Sequence, residues 1–191
     1  TGRITLVTRE QEIEESIRSA QKSGAMIAYL LFDPSPRSLY LPQRFKDELP
    51  KVYSHAGLGV LSAKDSTLNR ETLTTHINTM LNSGVIVIEA LVDLRAFMQA
   101  FEDLRHQKLD MIFADINLHH IREISTIISM LNSLSFFYSG LLFEYYYNED
   151  YLRLQYINSV DVDMDNIICY SDDANEMMDF IRADYQRVLI K

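Results

Sequence analysis

The chain has 191 residues, of which 47% are hydrophobic, and 18 Lys and Arg against 27 Asp and Glu give a formal net charge of −9. This length suffices to bury a core without disulfide bonds, and the single Cys169 cannot form an internal one, so we expect a cytoplasmic protein in a reducing compartment. The acidic balance argues against nucleic acid and anionic membrane surfaces as partners, and no apolar run approaches the about 20 residues of a membrane span.

The first 32 residues predict a strand, a helix and a second strand. Residues 4–7 alternate in the manner of a short strand, and residues 9–22 carry apolar side chains at helical spacing. The apolar run at residues 25–32 indicates a buried strand. We therefore assign an N-terminal β-α-β segment to residues 1–32.

Residues 33–66 predict a linker followed by helix. The prolines at 34 and 36 break regular structure, and residues 39–42 are expected to be extended, because the residue before a proline avoids the helical region. A helical pattern over residues 43–55 contains Pro50, which favours two short helices meeting there.

Residues 67–191 predict a mixed sheet flanked by helices, and the whole chain is also compatible with one compact domain. The predicted elements are a hairpin of residues 67–81 and 85–90 around the turn Asn82-Ser83-Gly84, a helix at 91–107, a buried strand at 109–115, a helix at 119–133, strands at 136–142 and 151–157 around a turn at 148–150, and a helix at 167–188. We expect the 109–115 strand to be buried on both faces and parallel to its neighbour, because it is mostly apolar. The predicted fold class is α/β.

Several segments carry a resemblance to a known family. They are an Asn at 117 after a strand, the aromatic opening Phe136-Phe137-Tyr138-Ser139-Gly140, the strand Tyr151-Leu152-Arg153-Leu154-Gln155-Tyr156, the extended Leu39-Tyr40-Leu41-Pro42 before a helix that ends near Tyr53 and Gly57-Leu58, and the acidic turn from Asp161. Together with the order of elements, they resemble the GNAT (acyl-CoA N-acyltransferase) fold. They are similar in particular to GNAT-like C-terminal regions of bacterial proteins that carry an upstream kinase-type ATPase domain of the anti-sigma-factor class.

The resemblance implies a GNAT-like fold without the residues that acyl transfer needs. A GNAT enzyme holds the coenzyme A pyrophosphate with a Gly-rich turn at a helix start, and the equivalent loop here is Glu89-Ala90-Leu91-Val92-Asp93, which has two carboxylates and no glycine. The general-acid Tyr of the family is replaced by Leu131, and a family glycine by Ser135. We expect no catalytic residue and no cofactor.

The resulting hypothesis is a non-catalytic sensing or interaction domain of a bacterial signalling or regulatory protein. Its expected partners are another protein or an upstream ATPase domain, and a homodimer is compatible with it. The alternative is a divergent acetyl-CoA-dependent N-acetyltransferase. A third class, a structural or dimerising module, would be favoured by an exposed edge strand.

An acidic segment has the spacing of a calcium-binding loop. Asp161, Asp163, Asp165 and Asp172 stand at the alternating and final positions that such loops use. Asn166 replaces the turn glycine, and Asp172 is shorter than the usual bidentate Glu. Aspartates before a helix also serve as N-caps and favour its positive end, and we prefer that interpretation over a metal site.

Three further groups stand out. His119 and His120 open a predicted helix about 100° apart, which favours a solvent-facing or capping pair over a shared metal. The run of tyrosines at 145–147 could line a ligand surface, but core packing is the default, with at least one ring outside. Glu89 and Asp115, near the ends of neighbouring strands, are the one carboxylate pair that the sequence leaves open as a site.

Overall fold

The structure, a computed structural model, describes residues 4–5, 27–28, 31, 33–64, 70–90, 92–159, 162–164, 167, 169 and 171–190. The strands are β1 (Ile4–Thr5), β2 (Ile27–Ala28), β3 (Arg37–Leu39), β4 (Val60–Ser62), β5 (Leu73–Asn78), β6 (Ser83–Ile88), β7 (Met111–Asn117), β8 (Phe137–Tyr146) and β9 (Glu149–Ile157). The helices are α1 (Leu49–His55), α2 (Leu94–His106), α3 (Ile124–Ser133) and α4 (Asp172–Leu189). The predicted α/β class is confirmed.

The main sheet has five strands in the order β5-β6-β7-β9-β8. Strands β6 and β7 are parallel, as predicted, and the other neighbours are antiparallel. Parallel neighbours need a crossover connection, which α2 supplies between them. Two smaller sheets pair β1 with β2 and β3 with β4.

The core lies on one face of this sheet. Alternate residues of β6, β7 and β9 pack there against helices α2 and α3, and the cluster includes Ile86, Ile88, Ile112, Ala114, Ile116, Leu152, Leu154, Phe97, Phe101, Leu104, Ile127 and Leu131. Gly84 permits the close approach of α2, because a Cβ atom there would come within 3.0 Å of the Leu104 side chain. A second, smaller apolar cluster consists of Val87, Leu142 and Tyr151.

One edge of the sheet is covered. The backbone N–H of Tyr138 in β8 donates to the buried Asp184 carboxylate of α4 at 2.8 Å. Arg44 and Arg187 also donate to this carboxylate. Helix α4 therefore closes the β8 edge, whereas β5 ends the sheet on the other side.

Two predicted turns are displaced in the structure. The hairpin turn lies at residues 79–82, because Asn82 supplies the positive φ (45°) and Ser83 and Gly84 already belong to β6. The turn predicted at 148–150 shortens to Tyr147-Asn148, both with positive φ (53° and 57°), as two-residue hairpin turns require.

Three helices also begin later than predicted. Helix α3 starts at Ile124 rather than 119, because the Asn117 side chain accepts from the backbone N–H groups of His119 and His120 and holds them in a turn. Helix α2 starts at Leu94 rather than 91, and α4 at Asp172 rather than 167, after the capping Ser171.

The predictions for the first half are confirmed only in part where the structure describes it. A 3-10 turn at Gln43–Phe45 and α1 are two short helical elements, but they are separated at residues 46–48 and do not meet at Pro50. Pro50 lies in the first turn of α1, where its missing N–H is not needed, and the pairing of β3 with β4 within residues 33–66 was not predicted. Strands β1 and β2 fall within the predicted segments 4–7 and 25–32, and the predicted helix at 9–22 lies outside the described residues. Among the described helices, none has the length and apolar character that crossing a membrane requires.

Candidate functional site

Polar side chains collect where the two parallel strands end. Glu89 directly follows β6, Asn117 is the last residue of β7, and the antiparallel register places Tyr151 of β9 opposite Asn117. In sheets with parallel strands, ligands bind beyond the carboxyl ends of those strands. This group is therefore the candidate site.

Glu89 is the centre of the group and is only 2% exposed. Its carboxylate accepts from the Tyr151 hydroxyl at 2.8 Å, from Asn117 Nδ2 at 2.8 Å and from Arg70 Nη2 at 2.9 Å. Burial, followed by the hydrogen bond to Glu89, raises the pKa of Tyr151, so its hydroxyl stays a donor. The buried carboxylate is thus fully provided with donors.

A second carboxylate, Glu149, shares these donors. Asn117 Nδ2 also donates to Glu149 at 2.7 Å, Arg70 contacts it, and His120 Nε2 lies 2.7 Å from its other oxygen. Burial alone would raise the pKa of Glu149, but the hydrogen bonds from His120, Arg70 and Asn117 outweigh it and lower that pKa. The Tyr147 ring covers the Arg70 guanidinium at 4.1 Å.

A neighbouring network joins the first half of the chain to the β8–β9 hairpin. The Tyr53 hydroxyl donates to the buried Asp150 carboxylate at 3.0 Å, and the backbone N–H of Glu144 donates to its other oxygen at 2.9 Å. Arg37 pairs with Glu144. Burial, with Asp150 alongside, raises the pKa of Tyr53. These contacts are structural ties in which each carboxylate has a partner.

Glu89 and Asp115 project from the same face but have separate partners. Asp115 is fully buried and binds Arg153 through two hydrogen bonds of 2.7 Å, with the Tyr146 hydroxyl at 3.1 Å. The Arg153 guanidinium lies over the Phe113 ring. The two carboxylates therefore do not form an acid–base pair with each other.

The loop that the resemblance equates with the coenzyme A turn, residues 89–93, does not have the form of a phosphate-binding turn. Glu89 turns inward, and Ala90 and Val92 are half-buried, while Leu91 lies outside the described residues. Asp93 is exposed and extended at the start of α2, without a side-chain capping hydrogen bond. Of the two carboxylates in this loop, Glu89 is paired with Arg70, and Asp93 is exposed beside the start of α2.

The two other positions equated with family residues are also placed. Leu131 is fully buried in the core on α3. Ser135 follows α3 with φ of 68°, and the Phe136 N–H donates to the Leu131 carbonyl, which is a helix-ending motif that favours glycine.

The acidic segment is only partly described. Asp161 and Asp165 lie outside the described residues, and Asp163 and Asp172 are exposed. The described residues contain no group of three His, Cys, Asp or Glu that could hold a metal ion. Ser171 is the N-cap of α4, and Asp172 and Asp173 occupy its first turn, where the helix dipole favours them.

The histidine pair is not solvent-facing, which corrects that prediction. His120 contacts Glu149, and His119 is half-buried with its Nε2 atom lacking a hydrogen-bond partner among the described residues. Burial lowers the pKa of His119. Their backbone N–H groups donate to the Asn117 side-chain oxygen instead of beginning a helix. His55, His76 and His106 are exposed and dispersed, on α1, β5 and α2 respectively.

The tyrosines at 145–147 are placed as the packing interpretation predicts. The rings of Tyr145 and Tyr146 meet edge to face at 4.7 Å and are half-buried, whereas Tyr147 is 69% exposed. At least one ring was expected outside, and Tyr147 is that ring.

Two cavities lie away from the strand ends. One of about 490 Å³ is lined by Leu39, Tyr40, Leu41, Pro50, Val60, Leu61, Ser62 and Arg122. A second of about 220 Å³ is lined by Val162, Asp163, Met164, Arg182, Tyr185 and Gln186. Neither adjoins the Glu89 network.

Sequence reasoning missed most of this network. Arg70 and Glu149 carried no motif, and Tyr151 entered only as part of a strand in the resemblance. Their contacts depend on strand register and on chain separations that spacing does not reveal. The available signals were Asn117, an Asn after a strand, and Glu89, which the sequence paired with Asp115 instead of with its actual partners. Comparisons with protein-family models, with curated proteins and with solved structures give no match.

Proposed function

We propose that the chain is a non-catalytic GNAT-like domain that mediates contact within a bacterial signalling or regulatory protein. The resemblance rests on a chain order of hairpin, helix, strand, helix and antiparallel strand pair. The elements β5, β6, α2, β7, α3, β8 and β9 follow that order. The order supports a likeness in fold, and a fold carries no activity by itself.

The observation that carries the proposal is the closure of the strand ends. Glu89, Asn117 and Tyr151 fill the place where a ligand would bind in such a sheet, and they are almost fully buried. A ligand entering there would have to displace Arg70 from two carboxylates, which is costly because it would leave buried charges unpaired. Contact through the outer surface is therefore favoured over sensing at this place.

The position of the family's general acid supports the same conclusion. Leu131 stands there, and a buried aliphatic side chain has no proton to donate. Partners of the domain are proposed from the resemblance, namely an upstream ATPase domain or another protein.

One observation favours the alternative of a divergent acetyl-CoA-dependent N-acetyltransferase. Helix α2 begins at exposed residues 94–96, and the Asp93 side chain does not cap its first N–H groups. Such groups bind anions. The Asp93 carboxylate beside them would repel a pyrophosphate, and we rank this function second.

An acetyl-transfer assay separates the two functions. The purified chain is incubated with acetyl-CoA and a mixture of amine acceptors, and acetylated products are measured by mass spectrometry. We expect acetylated product to form no faster than in a heat-denatured sample of the same chain. Turnover above that background, abolished on unfolding, would contradict the proposal.

A further inference from the structure

The β5 edge of the main sheet differs from the opposite edge. Strand β5 pairs only with β6 in the part of the chain that the structure describes. The opposite edge strand, β8, has α4 packed along it, and the Asp184 side chain binds the backbone N–H of Tyr138 there. An uncovered edge presents backbone groups to which another strand can bind.

Strand β5 lacks three features that commonly prevent edge pairing, namely proline, charged side chains and a bulge. Its sequence, Leu-Thr-Thr-His-Ile-Asn, contains no proline, Lys or carboxylate, and its register with β6 is continuous, without a bulge. Residues Thr75 to Asn78 are exposed, including Ile77 at 45%. The exposed Met80 and Leu81 follow in the turn and extend the apolar surface.

The pairing with β6 determines which backbone groups face outward. The Glu89 N–H donates to the Thr72 carbonyl at 2.9 Å, and these residues are directly opposite by the register of the hairpin. Hydrogen-bonded and non-hydrogen-bonded pairs alternate in antiparallel sheets. The backbone N–H and C=O groups of Leu73, Thr75 and Ile77 therefore point away from β6.

We propose that β5 pairs antiparallel with β5 of a second copy of this chain, with Thr75 opposite Thr75 on a two-fold axis. This register lets all three outward-facing residues exchange backbone hydrogen bonds, and it places Leu73 opposite Ile77 of the second copy. Both side chains lie on the helix-covered face, since they oppose Ile88 and Gly84 of β6. The proposed contact is isologous, as two-fold dimers require.

Charge favours a second copy as the occupant. The chain carries a formal net charge of −9, but residues 72–82 contain no Lys, Arg, Asp or Glu. Two copies therefore meet along this segment without like charges facing each other, which would oppose pairing. The inference deepens the proposed function, on which it rests, by naming one partner of the interaction domain.

The test is sedimentation velocity of the whole chain over a range of micromolar concentrations. We expect the wild type to approach twice the mass of one 22.2 kDa chain. Thr75→Pro removes one outward N–H without touching the β6 pairing, and Thr75→Lys places like charges on the axis. Each should weaken dimerisation by at least about tenfold, whereas Gln99→Lys, at an exposed position of α2, should not.

A charge-matched mixture makes the test specific for the register. Thr75→Lys and Thr75→Glu proteins should each be monomeric alone and should form a dimer when mixed, because opposite charges then face each other on the axis. Circular dichroism checks that each variant is folded. A monomeric wild type, a dimer that persists in Thr75→Lys, or a mixture that stays monomeric overturns the inference. These outcomes leave the acetyl-transfer result untouched, so the two proposals fail separately.

Discussion

Asn117 shows how much depends on a single side chain. Its amide nitrogen donates to both Glu89 and Glu149, and its oxygen accepts from the backbone N–H groups of His119 and His120. One residue thus bridges two carboxylates and sets the conformation of the turn after β7.

Asn117→Ala should lower the free energy of unfolding by about 2–3 kcal/mol, because it leaves buried acceptors and donors without partners. Urea unfolding followed by circular dichroism measures this change. Asn175→Ala, at an exposed position of α4, is the matched control and should change stability by less than about 0.5 kcal/mol. Equal effects of the two substitutions would contradict the role given to Asn117.

His119 should make stability depend on pH. Burial lowers its pKa below the ordinary value of 6.5, so the unfolded chain binds a proton more readily than the folded one. The part of the free energy of unfolding that depends on the neutral His119 ring is fully present above pH 6.5. It is lost as the pH falls from there through the pKa of the folded state. Stability should therefore decrease on acidification within this window.

The measurement is urea unfolding at a series of pH values, comparing the wild type with two variants. His119→Gln should flatten the pH dependence in the window just below 6.5, and His106→Gln, at an exposed position, should not. An unchanged slope in His119→Gln would show that other groups cause the dependence.

At the scale of elements, the identity and order of the strands and helices of the second half were predictable, whereas their ends were not. Apolar periodicity indicates a helix or strand, but Asn82, Tyr147 and Asn148 adopt left-handed conformations that move the turns. The late start of α3 has a tertiary component, because Asn117 of β7 binds the residues that would otherwise open the helix.

The contact of α4 with the β8 edge yields a prediction at this scale. Asp184→Ala leaves the buried N–H of Tyr138 without its acceptor and should cost about 2–3 kcal/mol. Hydrogen exchange at the Tyr138 amide should accelerate along with the loss of stability. Asp179→Ala, which removes an exposed ion pair on the same helix, should cost less than about 1 kcal/mol. Unchanged protection of Tyr138 in Asp184→Ala would contradict the contact.

At the scale of the whole molecule, the α/β class and the parallel strand pair followed from the sequence, but the closed site did not. Arg70 meets Glu149 across 79 positions of chain, and such a contact depends on the relative placement of a loop and a hairpin. The sequence drew attention to Glu89 without revealing its partners. Only the three-dimensional arrangement shows what occupies the strand ends instead.

The central claim is that the carboxyl ends of β6 and β7 are closed by the protein's own side chains. Isothermal titration of the folded chain with acetyl-CoA tests it most directly, with thermal unfolding of the same sample as a check of its integrity. The account predicts no heat of binding and an unchanged melting temperature. Saturable binding with a dissociation constant in the micromolar range, accompanied by a rise in melting temperature, would contradict it.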